Sequence, residues 1–280
     1  MAQLLLRGVA LGEVRAVLFD KDGTLSISEP QLITLAEARV FLCLERVDAA
    51  LQVELRQLLR RAYGLRQGGA AVGESAICPA GITAVASREH NLIATATALV
   101  QVGLGWPEAL SLSEEVFAAA DRADARRDLA SLANSAAATH RGSGGEPAGG
   151  TSRTTEGLRA WLEQLREASV TCAVISNDDV AGIEHFLASH GLNGYFAAIW
   201  SAEHRPRKPD PAAVHGLCAD LGLQACDCAL IGDANSDLRM AVAAGIPHQL
   251  ALGYTAAWST PPPLAEPHPR VHHWRELSLA

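Results

Sequence analysis

Short apolar runs alternate with helical patterns through the second half of this chain, and one more apolar run stands far upstream. The runs are Ala16–Phe19, 170–175, 197–200 and 229–231, with another near 247–252. Between the later runs lie the helical stretches 155–168, 179–190, 212–221 and 236–244. Strands alternating with helices build βαβ units, so the expected fold is α/β with a parallel sheet. In such sheets ligands bind outside the carboxyl ends of the strands. Three distant segments leave that end: Asp20-Lys21-Asp22, Ser176-Asn177 and Gly232-Asp233.

The stretch from about 26 to 150 has a different texture. Helical patterns cover 32–62, 87–104 and 116–138, and no strand is evident. Residues 141–150 are Gly-rich and weakly hydrophobic, as links between domains are. A second Gly-rich stretch, 68–81, reads as a mobile loop or a disordered excursion. The expected organisation is an α/β core of 1–26 and 151–280, interrupted by a helical domain of 27–150.

Composition removes several classes. An apolar fraction of 49% with 19% charged residues indicates a packed globular chain. A formal charge of -8 is the wrong sign for a nucleic-acid footprint. No apolar run approaches the roughly 20 residues of a membrane span. The apolar stretch 1–14 lacks the longer core and cleavage site of a signal peptide. The six cysteines are scattered, and Cys226 with Cys228 has no second pair to complete a zinc site. They read as reduced thiols of a cytoplasmic protein.

Asp20 and Asp22 leave their strand one residue apart and repel each other unless something positive intervenes. A hard divalent cation such as Mg²⁺ takes oxygen ligands and fits there. Together the segment offers a carboxylate nucleophile, a second carboxylate for proton transfer, a flexible Gly23 and the Thr24 hydroxyl. That inventory suits attack on a phosphate.

Four segments recur in order: Asp20-Lys21-Asp22-Gly23-Thr24, Val174-Ile175-Ser176-Asn177, Lys208-Pro209-Asp210-Pro211 and Ile231-Gly232-Asp233-Ala234-Asn235-Ser236-Asp237. They resemble the four motifs of the haloacid dehalogenase-like hydrolase superfamily. The place of the insertion resembles that of the helical cap in its phosphoglycolate-phosphatase-like branch. The resemblance implies a doubly wound, Rossmann-like core with an inserted all-helical cap. It also implies an Mg²⁺-dependent phosphatase acting on a small phosphorylated metabolite through an aspartyl-phosphate.

On that resemblance Asp20 is the nucleophile. Asp22 is the general acid and base, and its backbone carbonyl resembles a metal ligand of the family. Thr24, Ser176 and Asn177 would bind the phosphoryl group; for Ser176 a local side-chain turn is the alternative. Lys208 would neutralise charge on the phosphoryl oxygens and on Asp20. Asp233 would bind Mg²⁺ directly. Asp237, one helical turn later, would act through a water or orient Lys208. Only Lys21 and Lys208 among the 23 basic residues are lysines, and both fall inside motifs.

Other groups are weaker candidates. Arg205 and Arg207 flank the lysine motif but read as surface residues. Arg60, Arg61, Arg66 and Arg88 in the insertion could meet an anionic leaving group. Arg88 and Asn91 start a helix, where anions bind readily, although a solvated face is the plainer reading. His272-His273-Trp274 reads as packing at a strand edge. Gly253-Tyr254-Thr255 is loosely similar to a phosphoglycolate phosphatase loop.

Asp22 argues against the carbon–halogen hydrolases of the superfamily, which lack that acid. The absence of lysine from 26 to 150 argues against Schiff-base hydrolases. A sugar-phosphate mutase and a non-catalytic binding protein of the same fold remain as alternatives.

Overall fold

The computed structural model describes residues 1–67, 75–138, 152–265 and 267–280, with side chains left aside at 67, 75 and 123–138. The link expected at 141–150, and residues 68–74 of the second Gly-rich stretch, lie outside the described residues. Along the chain come β1 (Ala2–Leu6), β2 (Val9–Val14), β3 (Ala16–Phe19) and β4 (Ser26–Ile27). Then follow α1 (Glu29–Leu44), α2 (Ala49–Ala62), β5 (Leu65–Gln67), β6 (Ser75–Ile77), α3 (Ile82–Val85), α4 (Arg88–Gln101) and α5 (Trp106–Ala138). The remainder is β7 (Arg153–Thr154), α6 (Leu158–Glu167), β8 (Thr171–Ile175), α7 (Val180–Ser189), β9 (Phe196–Trp200), α8 (Pro211–Asp220), β10 (Cys228–Gly232), α9 (Asn235–Ala243), β11 (Ala251–Tyr254), β12 (Arg270–Val271) and β13 (Leu277–Leu279). The chain divides into two compact units, Met1–Glu29 with Cys78–Ala80 and Arg153–Ala280, and Pro30–Ile77 with Gly81–Ser152.

The first unit holds a six-stranded sheet in the order β12-β11-β10-β3-β8-β9, with every pairing parallel. β3 and β10 are buried at every residue. Parallel strands covered on both faces lose the polar alternation of half-exposed ones, so they read in sequence as continuous apolar runs. From β3 the chain winds outward to β8 and β9, then crosses back to β10 on the other flank of β3. That reversal is the switch point of a doubly wound sheet, where a crevice opens at the strand ends. Phe19 pairs with Val174 on one side and Ile231 on the other, so the next residues of all three strands emerge at one level.

Helix α8 starts where its sequence dictates. Asp210 caps it by accepting the Ala212 N–H at 2.9 Å, and Pro211 occupies the first turn, where no N–H is needed. Lys208 is thereby fixed just ahead of a rigid helix. Strands β4 and β7 pair antiparallel, so the chain leaves and re-enters this unit side by side. Thr155 secures the return, donating from Oγ1 to the Thr24 carbonyl at 2.9 Å and accepting the Trp274 indole N–H at 2.8 Å. Trp274 is buried between Phe19 and Tyr254, with ring centroids 5.8 and 4.5 Å away. Of the His272-His273-Trp274 segment, Trp274 thus serves packing, while His272 is exposed.

The N-terminal stretch is also structural. β1 and β2 form a hairpin around Arg7-Gly8, both at positive φ (49° and 78°), and β13 pairs along β1. A two-residue turn with both φ positive matches the twist of its strands.

The second unit is helical, with α1, α2, α4 and α5 contributing Val40, Leu59, Leu99 and Phe117 to a buried core. The pattern expected as one helix over 32–62 is two, because the chain is extended at Asp48 (φ -58°, ψ 143°). The expectation of no strand in this region is corrected. β5 and β6 pair antiparallel, with Leu65 and Ile77 buried opposite each other. Three-residue strands around a Gly-rich tract carry too little periodicity to register in sequence.

Candidate active site

The strand ends bring three carboxylates together. Oxygen atoms of Asp20, Asp233 and Asp237 lie within 4.8 Å of one another, and all three side chains are buried. Lys208 reaches them from the loop between β9 and α8. Its Nζ donates to Asp20 Oδ1 at 2.7 Å and to the Ile175 carbonyl at 3.3 Å, and pairs with Asp237 Oδ1 at 2.7 Å. An ammonium has three N–H groups, and here each has an acceptor. Asp237 also accepts the Ala234 N–H at 3.3 Å, which ties the start of α9 to the cluster. Gly23 makes the tight approach possible: its φ is +84°, and a Cβ there would collide with the Asp233 carboxylate and the Trp258 indole.

Burial dominates the electrostatics. It pushes Asp20 up to about 7, aided by the charges of Asp237 and Asp22 and opposed by Lys208. Burial raises Asp233 well above the carboxylate range, with Asp20 and Asp237 adding to it, while the Trp258 hydrogen bond and Lys208 pull it down. For Lys208 burial works against the charge, but Asp20 and Asp237 outweigh it and its pKa rises. One ammonium cannot neutralise three carboxylates. The residual negative charge and the all-oxygen donor set fit a hard divalent cation, held by Asp20, Asp233 and Asp237.

A pH dependence follows. Asp20, Asp233 and Asp178 hold protons more tightly folded than unfolded. For Asp20 the native state then binds more protons than the unfolded chain from about pH 4 to about pH 7, so its contribution to stability falls as pH rises through that range, and Asp233 and Asp178 act in the same direction. Asp22, whose pKa is lowered, acts below this window. In EDTA the melting temperature is expected to be several degrees lower at pH 7.5 than at pH 5.5, with Mg²⁺ closing most of the gap. Differential scanning fluorimetry checks this, and a Mg²⁺-independent difference would contradict a cation at these carboxylates.

Asp22 sits in a separate network. Its Oδ1 accepts from Lys21 at 2.7 Å and Ser26 Oγ at 3.3 Å, and from Ser28 Oγ. Burial raises its pKa, yet Lys21 and these hydrogen bonds together leave it lowered. Lys21 Nζ also pairs with Asp178 at 2.9 Å and lies 5.9 Å from the Phe186 ring centre. The Asp22 carboxylate is therefore not one of the clustered three; the metal role expected of Asp22 rested on its backbone carbonyl.

Thr24 is fully buried, with no hydrogen-bond partner for Oγ1 among the described residues. The Ser176 hydroxyl accepts the Asp178 N–H at 3.1 Å, which is the local turn weighed as its alternative. That bond leaves the Ser176 O–H able to donate. Asn177 follows it, half-buried.

The arginine candidates have other engagements. Arg205 is exposed and donates to the Ala202 and His204 carbonyls. Arg60 pairs with Glu37. Arg88 donates to Asp121 at 2.9 and 2.7 Å. The reading of Asn91 on a solvated helix face is corrected. It is buried, and its amide donates to the Ile82 and Ser87 carbonyls at 3.0 Å, holding the turn before α4.

Three site residues escaped sequence reasoning: Asp178, Trp258 and Glu29. Asp178 directly follows Ser176-Asn177, so its place beside a motif was an available signal. Trp258 and Glu29 had none.

A doubly wound α/β sheet carrying buried carboxylates and one ammonium at its switch point defines a class of hydrolase-type site. The chain matches the haloacid dehalogenase-like hydrolase family over residues 14–245 and belongs to it. Its similarity runs to the phosphoglycolate-phosphatase-like branch. It is 30% identical to a phosphoglycolate phosphatase of Photobacterium profundum over 122 residues, 43% of this chain and 53% of that one. It is 28% identical to the Haemophilus influenzae phosphoglycolate phosphatase over 126 residues, 45% and 55% of the two chains. The chain thus spans about half the length of the curated relatives it matches. Its fold resembles the crystal structure of a predicted phosphoglycolate phosphatase from Haemophilus somnus, with a TM-score of 0.58, 18% identity and coverage of 93% and 95%. It also resembles a haloacid dehalogenase-like protein from Agrobacterium tumefaciens, with a TM-score of 0.53, 17% identity and coverage of 94% and 95%.

Proposed function

We propose that this chain is an Mg²⁺-dependent phosphatase that hydrolyses a small phosphate monoester through a phosphorylated Asp20. The observation that carries the reading is Lys208 Nζ bridging Asp20 and Asp237 at 2.7 Å within a buried cluster of three carboxylates. The relatives named phosphoglycolate phosphatase support a small anionic organic phosphate as substrate. The helical unit falls at the chain position of the family's inserted cap. Six free thiols support the expectation of a reducing, cytoplasmic compartment.

In the first half-reaction an Asp20 carboxylate oxygen attacks phosphorus. The new P–O bond forms as the bond to the leaving oxygen breaks. Lys208 holds Asp20 Oδ1, leaving Oδ2 to attack, and its charge stabilises the phosphoryl oxygens. Ser176 and Thr24 supply hydroxyl donors to the phosphoryl group, with Asn177 beside them. Bound Mg²⁺ supplies positive charge against the phosphoryl oxygens and the clustered carboxylates.

Asp22 donates the proton that the leaving alkoxide takes. The negative charge of the bound phosphate raises its pKa against the lowering by Lys21, so that Asp22 holds the proton it donates. In the second half-reaction Asp22, again a carboxylate, takes a proton from the water that attacks phosphorus. The Asp20–phosphate bond then breaks and both residues are restored.

A phosphate-release assay over a panel of phosphorylated metabolites, with and without Mg²⁺, tests the reading. Release that requires Mg²⁺ is expected. Isomerisation of a hexose phosphate without phosphate release would assign a mutase, and no turnover with any divalent cation a binding protein. Asp22→Ala is expected to slow release by about 10²–10⁴-fold, the usual range for a general acid–base. A rate near wild type would remove Asp22 from the chemistry.

A further inference from the structure

We infer that Trp258 is a positioning residue for Asp233, holding that carboxylate in the orientation that accepts the divalent cation. The inference rests on the reading of the acidic cluster as a cation site. Trp258 lies in the loop that leaves the carboxyl end of β11, and it is buried. Its indole Nε1–H donates to Asp233 Oδ2 at 2.6 Å. The bond crosses Gly23, where a side chain would strike both groups.

The loop itself is pinned one residue later. The Ser259 N–H donates to Glu29 Oε2 at 2.6 Å, and its hydroxyl to Glu29 Oε1 at 2.8 Å. Glu29 is buried and thus meets a donor at each oxygen. The indole is therefore presented from a fixed backbone, held by the residue that begins α1.

The partners of the three carboxylates differ in kind. Asp20 and Asp237 are held by an ammonium, which orients them and also cancels charge. Asp233 is held by an indole, which is a neutral donor and cannot accept or lose a proton in this range. The hydrogen bond fixes rotation of the carboxylate and occupies Oδ2, which leaves Oδ1 open to a cation. Carboxylates that bind metals are in turn hydrogen-bonded, and loss of such a partner typically weakens metal affinity about 10–100-fold. A positively charged donor in place of Trp258 would orient Asp233 at the expense of that affinity.

The test is Mg²⁺ titration of the full-length wild type, Trp258→Phe and Asp233→Asn, by calorimetry and by intrinsic tryptophan emission. Trp258→Phe keeps an aromatic ring and loses the N–H. It is expected to bind Mg²⁺ about 10-fold more weakly by calorimetry. A filler of space would leave that affinity unmoved, and the emission titration serves the wild type, Glu29→Gln and Asp233→Asn, which keep the indole. Glu29→Gln, which loosens the loop from outside the cluster, is expected to weaken binding less and keeps the test informative if Trp258→Phe does not fold. Wild-type affinity in both variants, with Asp233→Asn impaired, overturns the role of Trp258 and leaves the site intact. Wild-type affinity in Asp233→Asn overturns the cation site and this inference with it.

Discussion

Asp20→Asn is expected to lower turnover by about 10⁴-fold or more, the scale seen when a covalent nucleophile is removed. The amide has almost the shape of the carboxylate but cannot attack phosphorus. Its oxygen can still accept from Lys208, so the 2.7 Å contact has a replacement. The substitution also deletes one of three crowded negative charges, which in the wild type help push Asp20 up to about 7. The metal-free variant is therefore expected to melt at or above the wild-type temperature at pH 7.5. Phosphate release and scanning fluorimetry on one preparation separate the two effects. Near-wild-type turnover would refute Asp20 as nucleophile, and a large loss of stability would mean that Lys208 depends on the charge of Asp20.

Lys208→Met has the second large effect, and it acts on both stability and rate. It removes the ammonium that binds Asp20, Asp237 and the Ile175 carbonyl. Removing one partner of a buried pair costs about 3–5 kcal/mol, because the other charge stays buried. Here the carboxylates can escape part of that cost by taking up protons. The deficit in urea unfolding is thus expected to be larger at pH 8 than at pH 5.5. Turnover is expected to fall about 10²–10³-fold or more, as when an electrostatic donor is lost. Lys208→Arg should restore little. The three N–H groups of an ammonium converge on acceptors in different directions, which a planar guanidinium cannot copy. Equal destabilisation at both pH values would show that the carboxylates do not titrate as argued.

The pattern of lysines is explained by the same contacts. In a chain that otherwise uses arginine, Lys208 and Lys21 are both buried in ion pairs with two carboxylates each. Sequence alone marked both positions as unusual. It could not say that Lys21 faces Asp22 and Asp178 rather than the cluster. That depends on where β8 and its following turn lie beside β3.

Misses in the fold have a similar origin. The β1–β2 hairpin was hidden because Leu4, Leu5 and Leu6 are all apolar, so alternation of Leu4 and Leu6 inward leaves no polar mark. The partner β13 lies at the far end of the chain, pairing Leu4 with Leu279. In the helical unit, a Gly-rich tract concealed two three-residue strands. By contrast, β3, β8 and β10 were legible because strands buried on both faces are continuous apolar runs.

Local periodicity by itself determined the parallel α/β core, and the residue types after each strand determined that acidic groups gather at its rim. Both are encoded within a few neighbouring positions. Tertiary structure alone decided which donor each carboxylate meets: an ammonium arriving from 188 residues away for Asp20, and an indole from a later loop for Asp233. Such pairings arise because the sheet brings separate strand ends to one level, and no spacing along the chain records that distance in space.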